Sequence, residues 1–288
     1  GFDRSMQEQR TRARAASKFA GQAEAELALE IETDFIGYQA LKADSQVRAL
    51  IVNGQEVEKV ASGEQALVVL DQTPFYAESG GQTGDRGSFT AENLQVEVQD
   101  TIRQGDAHVH LVNVVAGELR WNDKIMVEVA QDARQSTALN HSATHLLHAA
   151  LRSILGTHVN QRGSLVQSER LRFDFSHFEA VTESEIRAIE RLVNDQIRKN
   201  SVISTDIMKV EEAKNTGALA LFGEKYSEQV RVLTMGDGFS VELCGGTHAE
   251  RTGDIGLFRI LSEQGVASGV RRIEAVTGQV AIQDMQDL

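Results

Sequence analysis

The run "KIMVEVAQDARQSTALNHSATHLLHAALRSILG" (residues 124–156) changes its period part-way through. "KIMVEV" alternates polar and apolar positions, the two-residue repeat of a strand with one buried face. From Gln131 the pattern becomes helical. It runs without proline to Gly156, a residue suited to the position just past a helix C-terminus. The chain divides here, with strands before and helices set among strands after.

Upstream, "VRALIVNG", "ALVVLDQT", "LQVEVQDTI" and "AHVHLVNVV" are short, rich in β-branched residues and separated by Gly, Asn and Asp. They predict a small antiparallel barrel or sandwich. His108 and His110 alternate within one of these strands and are expected in surface or structural roles. The single proline, Pro74, falls in a loop between strands. Downstream, "TESE" places Thr182 as an N-cap with Glu185 three residues on, a capping box. Ile186, Ile189, Val193 and Ile197 then form the buried stripe of a second helix. Strand-like "RLRFDFSH", "VRVLTMG", "FSVEL", "GLFRILSE" and "VRRIEAV" surround these helices without regular alternation. The fold class is therefore α+β with an antiparallel sheet. Residues 2–20, rich in Arg, Gln, Ala and Glu, read as a solvated helix. The expected division is a linker helix region over 1–40, a β-barrel over 41–130 and an α+β domain over 131–288.

The net charge of −13 argues against non-specific binding of DNA or RNA, which needs clustered Lys and Arg. Local basic clusters remain, at Arg4, Arg10, Arg12, Arg14 and Lys18 and at Arg271 with Arg272. No apolar run approaches the ~20 residues of a membrane span, and the start lacks the pattern of a signal peptide. One cysteine and no export signal together favour the reducing cytoplasm. The missing initiator methionine suggests a piece of something longer.

That cysteine, Cys244, stands in "ELCGGTHAE" with His248 four residues on. A lone cysteine forms no internal disulfide, which leaves a small buried residue, a nucleophile or a metal ligand. His141 and His145, at i and i+4, share one helical face and suit two nitrogen ligands of one ion. His148 lies near the same face and is a third candidate. The glycine pair in "CGGTH" permits a tight turn that presents thiolate and imidazole to one centre. Together the half-sites make a set of one cysteine and three histidines, which suits zinc far better than calcium or magnesium. Ser142 follows His141 where zinc proteases carry glutamate, so this motif supplies no general base. Spacing alone leaves open whether the zinc is structural or catalytic.

"HSATHLLHAAL" with "CGGTH" resembles the editing domain of alanyl-tRNA synthetases, shared with freestanding alanyl-tRNA editing proteins and more distantly with threonyl-tRNA synthetase. "TPFYAESGGQTGDRG", "HVNQRGSLV", "RLRFDFSH" and "SGVRRIEAVTG" are similar to further blocks of that family. "MQEQRTRARAASKF" resembles the helix that joins the aminoacylation half to the editing half and disfavours a freestanding trans-editing protein. The resemblance implies a barrel like that of translation elongation factors, followed by a zinc-binding α+β domain. It implies hydrolysis of Ser-tRNA(Ala) and Gly-tRNA(Ala), with the tRNA(Ala) acceptor end and the remaining domains of a parent synthetase as partners. His141, His145, Cys244 and His248 would hold Zn2+, with Cys244 in the catalytic set. Gly80, Gly81 and Gln82 are expected to hold the terminal adenosine or ester carbonyl. Thr73 would read the serine hydroxyl, Gln161 the ester or attacking water, and Arg271, beside Arg272, the acceptor stem. Asp85 and Asp174 are expected in turn and packing roles. No stretch resembles the class II aminoacylation motifs, so no alanine activation is expected. The competing expectation is a zinc-stabilised tRNA-docking module without hydrolysis.

Overall fold

The computed structural model describes residues 31–219 and 228–287, so the helix expected over residues 2–20 lies outside it. The chain forms two compact units. One runs to Glu78 and resumes over Gly84–Gln131; the other joins the short piece Ser79–Thr83 to everything from Asp132 onward.

The first unit is built on β1 (Lys42–Val52), β2 (Gln65–Leu70), β3 (Gly87–Ala91), β4 (Leu94–Gln104), β5 (Ala107–Ala116) and β6 (Lys124–Val129). Every neighbouring pair is antiparallel, in the order β1-β2-β5-β4-β3-β6, and β6 pairs back onto β1. Closure makes this a six-stranded barrel rather than a sandwich, and it satisfies the backbone groups an open sheet leaves at its edges. Alternation fixes the register. Leu94, Val96 and Val98 of β4 and Ile125, Val127 and Val129 of β6 are buried, while Gln95, Glu97, Lys124 and Glu128 face water. A slip of one residue would exchange the two sets.

His108 and His110 are structural, and both are buried. His108 Nδ1 lies 2.9 Å from the Phe75 carbonyl oxygen. His110 Nδ1 lies 3.0 Å from the Val68 carbonyl oxygen, and its Nε2 lies 2.9 Å from the Thr73 hydroxyl. Burial pushes the His110 pKa down to about 3, so its ring stays neutral.

The second unit holds α1 (Gln131–Leu155), β7 (Gln161–Val166), β8 (Leu171–Ser176), α2 (Glu183–Lys199), β9 (Ser204–Lys209), α3 (Val210–Asn215), β10 (Gln229–Met235), β11 (Ser240–Leu243), β12 (Phe258–Ala267), β13 (Val270–Thr277) and α4 (Gly278–Gln286). Two antiparallel sheets result, one ordered β7-β8-β13-β12 and the other β9-β10-β11. The capping box of α2 forms as its residues dictate: Thr182 Oγ1 accepts from the Glu185 amide, and Glu185 Oε2 accepts from the Thr182 amide at 2.8 Å. Ile189, Val193 and Ile197 of α2 pack with Leu146, Leu147 and Leu151 of α1 and with Phe173 and Phe175 of β8. Each such side chain contributes about 1.5–3 kcal/mol by leaving water. This core fixes both α1 and the sheets, and thereby the polar side chains they carry at its margin.

Candidate metal centre

The helix α1 buries polar as well as apolar residues along its middle: Asn140, His141, Ser142, Thr144, His145 and His148 all have little contact with water. Ser142 and Thr144 return their hydroxyls to carbonyls one turn back, at Ala138 and Asn140. Asn140 bonds outside the helix, its amide donating to the Gln167 and Ser168 carbonyls and its oxygen accepting from the Thr277 hydroxyl; the imidazoles of His141 and His145 reach beyond it as well.

They meet the loop after β11. Cys244 Sγ lies 3.4 Å from His141 Nε2 and 3.5 Å from His248 Nε2, and His248 Nε2 lies 3.3 Å from His145 Nε2. The four potential ligand atoms of His141, His145, Cys244 and His248 all fall within 4.8 Å of one another. Corners of a tetrahedron drawn around zinc, at about 2.0–2.1 Å for nitrogen and about 2.3 Å for sulfur, stand about 3.3–3.6 Å apart. These three edges match that shape, and the donor set suits a tetrahedral site for a soft divalent ion.

Burial opposes ionisation of the Cys244 thiol, but the imidazoles of His141, His248 and His145 outweigh it and hold its pKa well below the ordinary value. Thiolate is the form that binds metal. Burial likewise works against a charged His145, yet Glu242 and Cys244 raise its pKa to about 10. His248 is lowered to about 4 by burial, against the pull of the Cys244 thiolate.

The candidate ligands are held by partners behind them. His145 Nδ1 donates to Glu242 Oε2 at 2.7 Å, and His148 Nδ1 to Glu242 Oε1 at 2.8 Å. Burial would raise the Glu242 pKa; the two imidazoles, His145 foremost, instead bring it to about 2. His141 Nδ1 donates to Gln82 Oε1 at 2.8 Å. The same oxygen accepts from the Thr247 amide at 2.9 Å, and Gln82 Nε2 donates to the Thr247 hydroxyl at 2.9 Å. On the far side of the loop, the Ala249 amide donates to Ser142 Oγ at 3.0 Å. With Nδ1 engaged as a donor, His141 and His145 present Nε2 to the cluster.

Two glycines are required by space. A Cβ on Gly246 would lie 2.1 Å from Cε1 of His141. One on Gly81 would lie 2.6 Å from the Ser164 carbonyl oxygen, and Gly81 has a φ of +89°. Gly80 and Gly81 form a tight reverse turn in which Ser79 and Gln82 exchange backbone hydrogen bonds at 3.2 and 3.0 Å. This turn delivers Gln82, wholly buried, against His141.

The remaining candidates have contacts of their own. Thr73 is fully buried in the barrel unit, where its hydroxyl faces His110 and accepts from the Phe75 amide. Gln161 opens β7 opposite Phe175. Arg271 is clamped by both oxygens of Glu263, at 2.6 and 2.9 Å, and Arg272 by those of Asp174, at 2.7 and 2.8 Å. Asp85 accepts from the Tyr76 amide at 2.7 Å. Glu242 was not singled out by the sequence patterns above, although one signal pointed to it. In the strand-like "VELC" it stands two residues before Cys244 and so shares its face.

Comparison with known proteins follows the same two halves. Residues 1–133 match the family model described as tRNA synthetases class II (A). Residues 230–274 match the one described as Threonyl and Alanyl tRNA synthetase second additional domain. The second match holds Cys244 and His248; His141 and His145 lie between the two. The chain is 56% identical over 285 residues to an alanine–tRNA ligase of Nitrosococcus oceani, covering 98% of this chain and 32% of the relative. It is 55% identical to that of Shewanella loihica and 54% to that of Saccharophagus degradans, each over 282 residues with the same coverage. The chain thus spans about a third of the length of the curated relatives it matches.

Proposed function

Since the chain belongs to the alanine–tRNA ligase family, we propose that it is the editing part of such an enzyme, hydrolysing the ester of Ser-tRNA(Ala) and Gly-tRNA(Ala). A pocket shaped for alanine excludes glycine poorly, because one missing methylene is worth only about 1–3 kcal/mol. An added hydroxyl is also rejected weakly by a small apolar pocket, so serine is charged in error. A second site that hydrogen-bonds the serine hydroxyl sorts the products, since alanine would leave its polar groups unpaired.

The observation that carries this reading is the largely buried cluster of one thiol and three imidazoles, brought together from a helix and a loop about a hundred residues apart. His141, His145, Cys244 and His248 would hold zinc. Bound there, zinc would supply a fixed positive charge within a filled four-ligand shell. The chain's own residues do the rest. Gln82 and Ser142 immobilise the loop through Thr247 and Ala249. Glu242 and Gln82 fix the helix imidazoles. Gln161 is proposed to contact the ester or the attacking water, Arg271 the acceptor stem, and Thr73 the serine hydroxyl. Thr73 has the less direct support, because its own hydroxyl is already engaged by His110 and Phe75. Aminoacylation is assigned to the remaining part of the parent enzyme.

A filled shell of protein ligands also favours one competing reading, a tRNA-docking module whose metal is structural. Deacylation of Ser-tRNA(Ala) separates the two. Cys244→Ala is expected to abolish it, and Gln161→Leu to slow it without loss of zinc. Hydrolysis at the wild-type rate by Cys244→Ala refutes the editing assignment. Chelation alone decides less, because metal loss and unfolding are coupled.

A further inference from the structure

His141, His145 and His148 stand at i, i+4 and i+7, one stripe of α1, yet the cluster takes only the first two. The third is not idle. β11 runs into the cysteine loop, and its two-residue period puts Glu242 on the same face as Cys244. One two-residue strand period, about 6.6 Å, lies close to one helical turn, about 5.4 Å. The thiolate therefore meets His141, and the carboxylate meets His145 and His148.

Glu242 is 2% exposed and uses one oxygen for each ring, 2.7 Å from His145 Nδ1 and 2.8 Å from His148 Nδ1. His148 is the odd member. Its Nε2 is buried with no hydrogen-bond partner, and its ring lies 5.2 Å from that of Phe173 in the apolar core. A histidine kept only for packing is poorly placed there, since it leaves a polar nitrogen unsatisfied that a leucine would not bring. What His148 supplies is a single donor aimed at the free oxygen of Glu242.

We propose that Glu242 and His148 form a relay that positions the metal ligand His145. His148 pins the carboxylate, and the carboxylate fixes the tautomer and rotation of the His145 ring. The carboxylate also balances charge: a divalent ion with one thiolate and three neutral imidazoles carries +1, and Glu242 brings the buried group to zero. This inference rests on the metal-centre reading above. His148 is a positioning residue, acting through Glu242.

Zinc affinity is the readout, measured on the 288-residue chain by competition with a chromophoric chelator. Glu242→Gln is expected to weaken zinc binding about 10–100-fold, and His148→Leu to weaken it in the same direction. His148→Asn, which keeps a donor near the Nδ1 position, is expected to restore affinity close to wild type. Because His148 works through Glu242, the double variant Glu242→Gln/His148→Leu should bind zinc no more weakly than Glu242→Gln alone. A folded His148→Leu protein with wild-type affinity overturns the proposal, as do independent, additive losses in the double variant. Should His148→Leu fail to fold, Glu242→Gln decides: unchanged affinity overturns the relay, and weakened affinity with His148→Asn near wild type upholds it. Wild-type protein that takes up no zinc defeats the metal centre itself, whereas zinc-binding wild type with unaffected variants defeats only the relay.

Discussion

The side-chain oxygen of Gln82 accepts a hydrogen bond from Nδ1 of His141 at 2.8 Å, across 59 residues of sequence. The same oxygen takes the Thr247 amide, so one buried amide ties His141 of the helix to the loop that carries Cys244 and His248. Gln82→Leu keeps the bulk and removes every side-chain polar contact. A buried donor left unpaired costs about 1–3 kcal/mol. Chemical denaturation should show a loss of that size, together with lower zinc retention on dialysis; an unaltered midpoint and metal content would show that the amide is dispensable.

The two glycines of "CGGTH" should behave oppositely. Gly246→Ala drives a methyl into the His141 ring, while a Cβ at Gly245 meets nothing within 4 Å. Overpacking of this kind costs about 1–3 kcal/mol, so Gly246→Ala should lose both stability and metal. Gly245→Ala should fall within about 0.5 kcal/mol of the parent. Equal effects at both positions would contradict the close approach.

How the site is assembled explains what could be read in advance. His141 and His145 are adjacent on a helix, Cys244 and His248 sit in one short loop, and Thr182 caps through Glu185. Such relationships are local, and local spacing records them. The partners of Glu242 lie 94 and 97 residues away, and that of Gln82 59 away, so no period marks them. His110 and Thr73 meet 37 residues apart across the barrel, where alternation gives a face but not a neighbour. Whether the strand-rich segment closed was likewise hidden, because closure rests on the single pairing of β6 with β1.

The barrel should carry a pH signature from His110. Its folded pKa of about 3 lies below the unfolded value of 6.5, so between these limits the unfolded chain binds a proton that the folded chain does not. Its contribution is intact above about 6.5 and is lost as pH falls toward about 3. Against His110→Gln, which cannot titrate, the stability advantage of the wild type should narrow over that window. His108, also lowered by burial, is present in both proteins and cancels. A constant difference from about pH 7.5 to about pH 5 would show that the His110 ring is not held neutral by the fold.

X-ray absorption at the zinc edge tests the central claim most directly. The account predicts one zinc per chain with one sulfur at about 2.3 Å and three nitrogens at about 2.0–2.1 Å, the sulfur vanishing in Cys244→Ala. A zinc shell of nitrogen and oxygen with no sulfur, or no zinc bound at all, would contradict it.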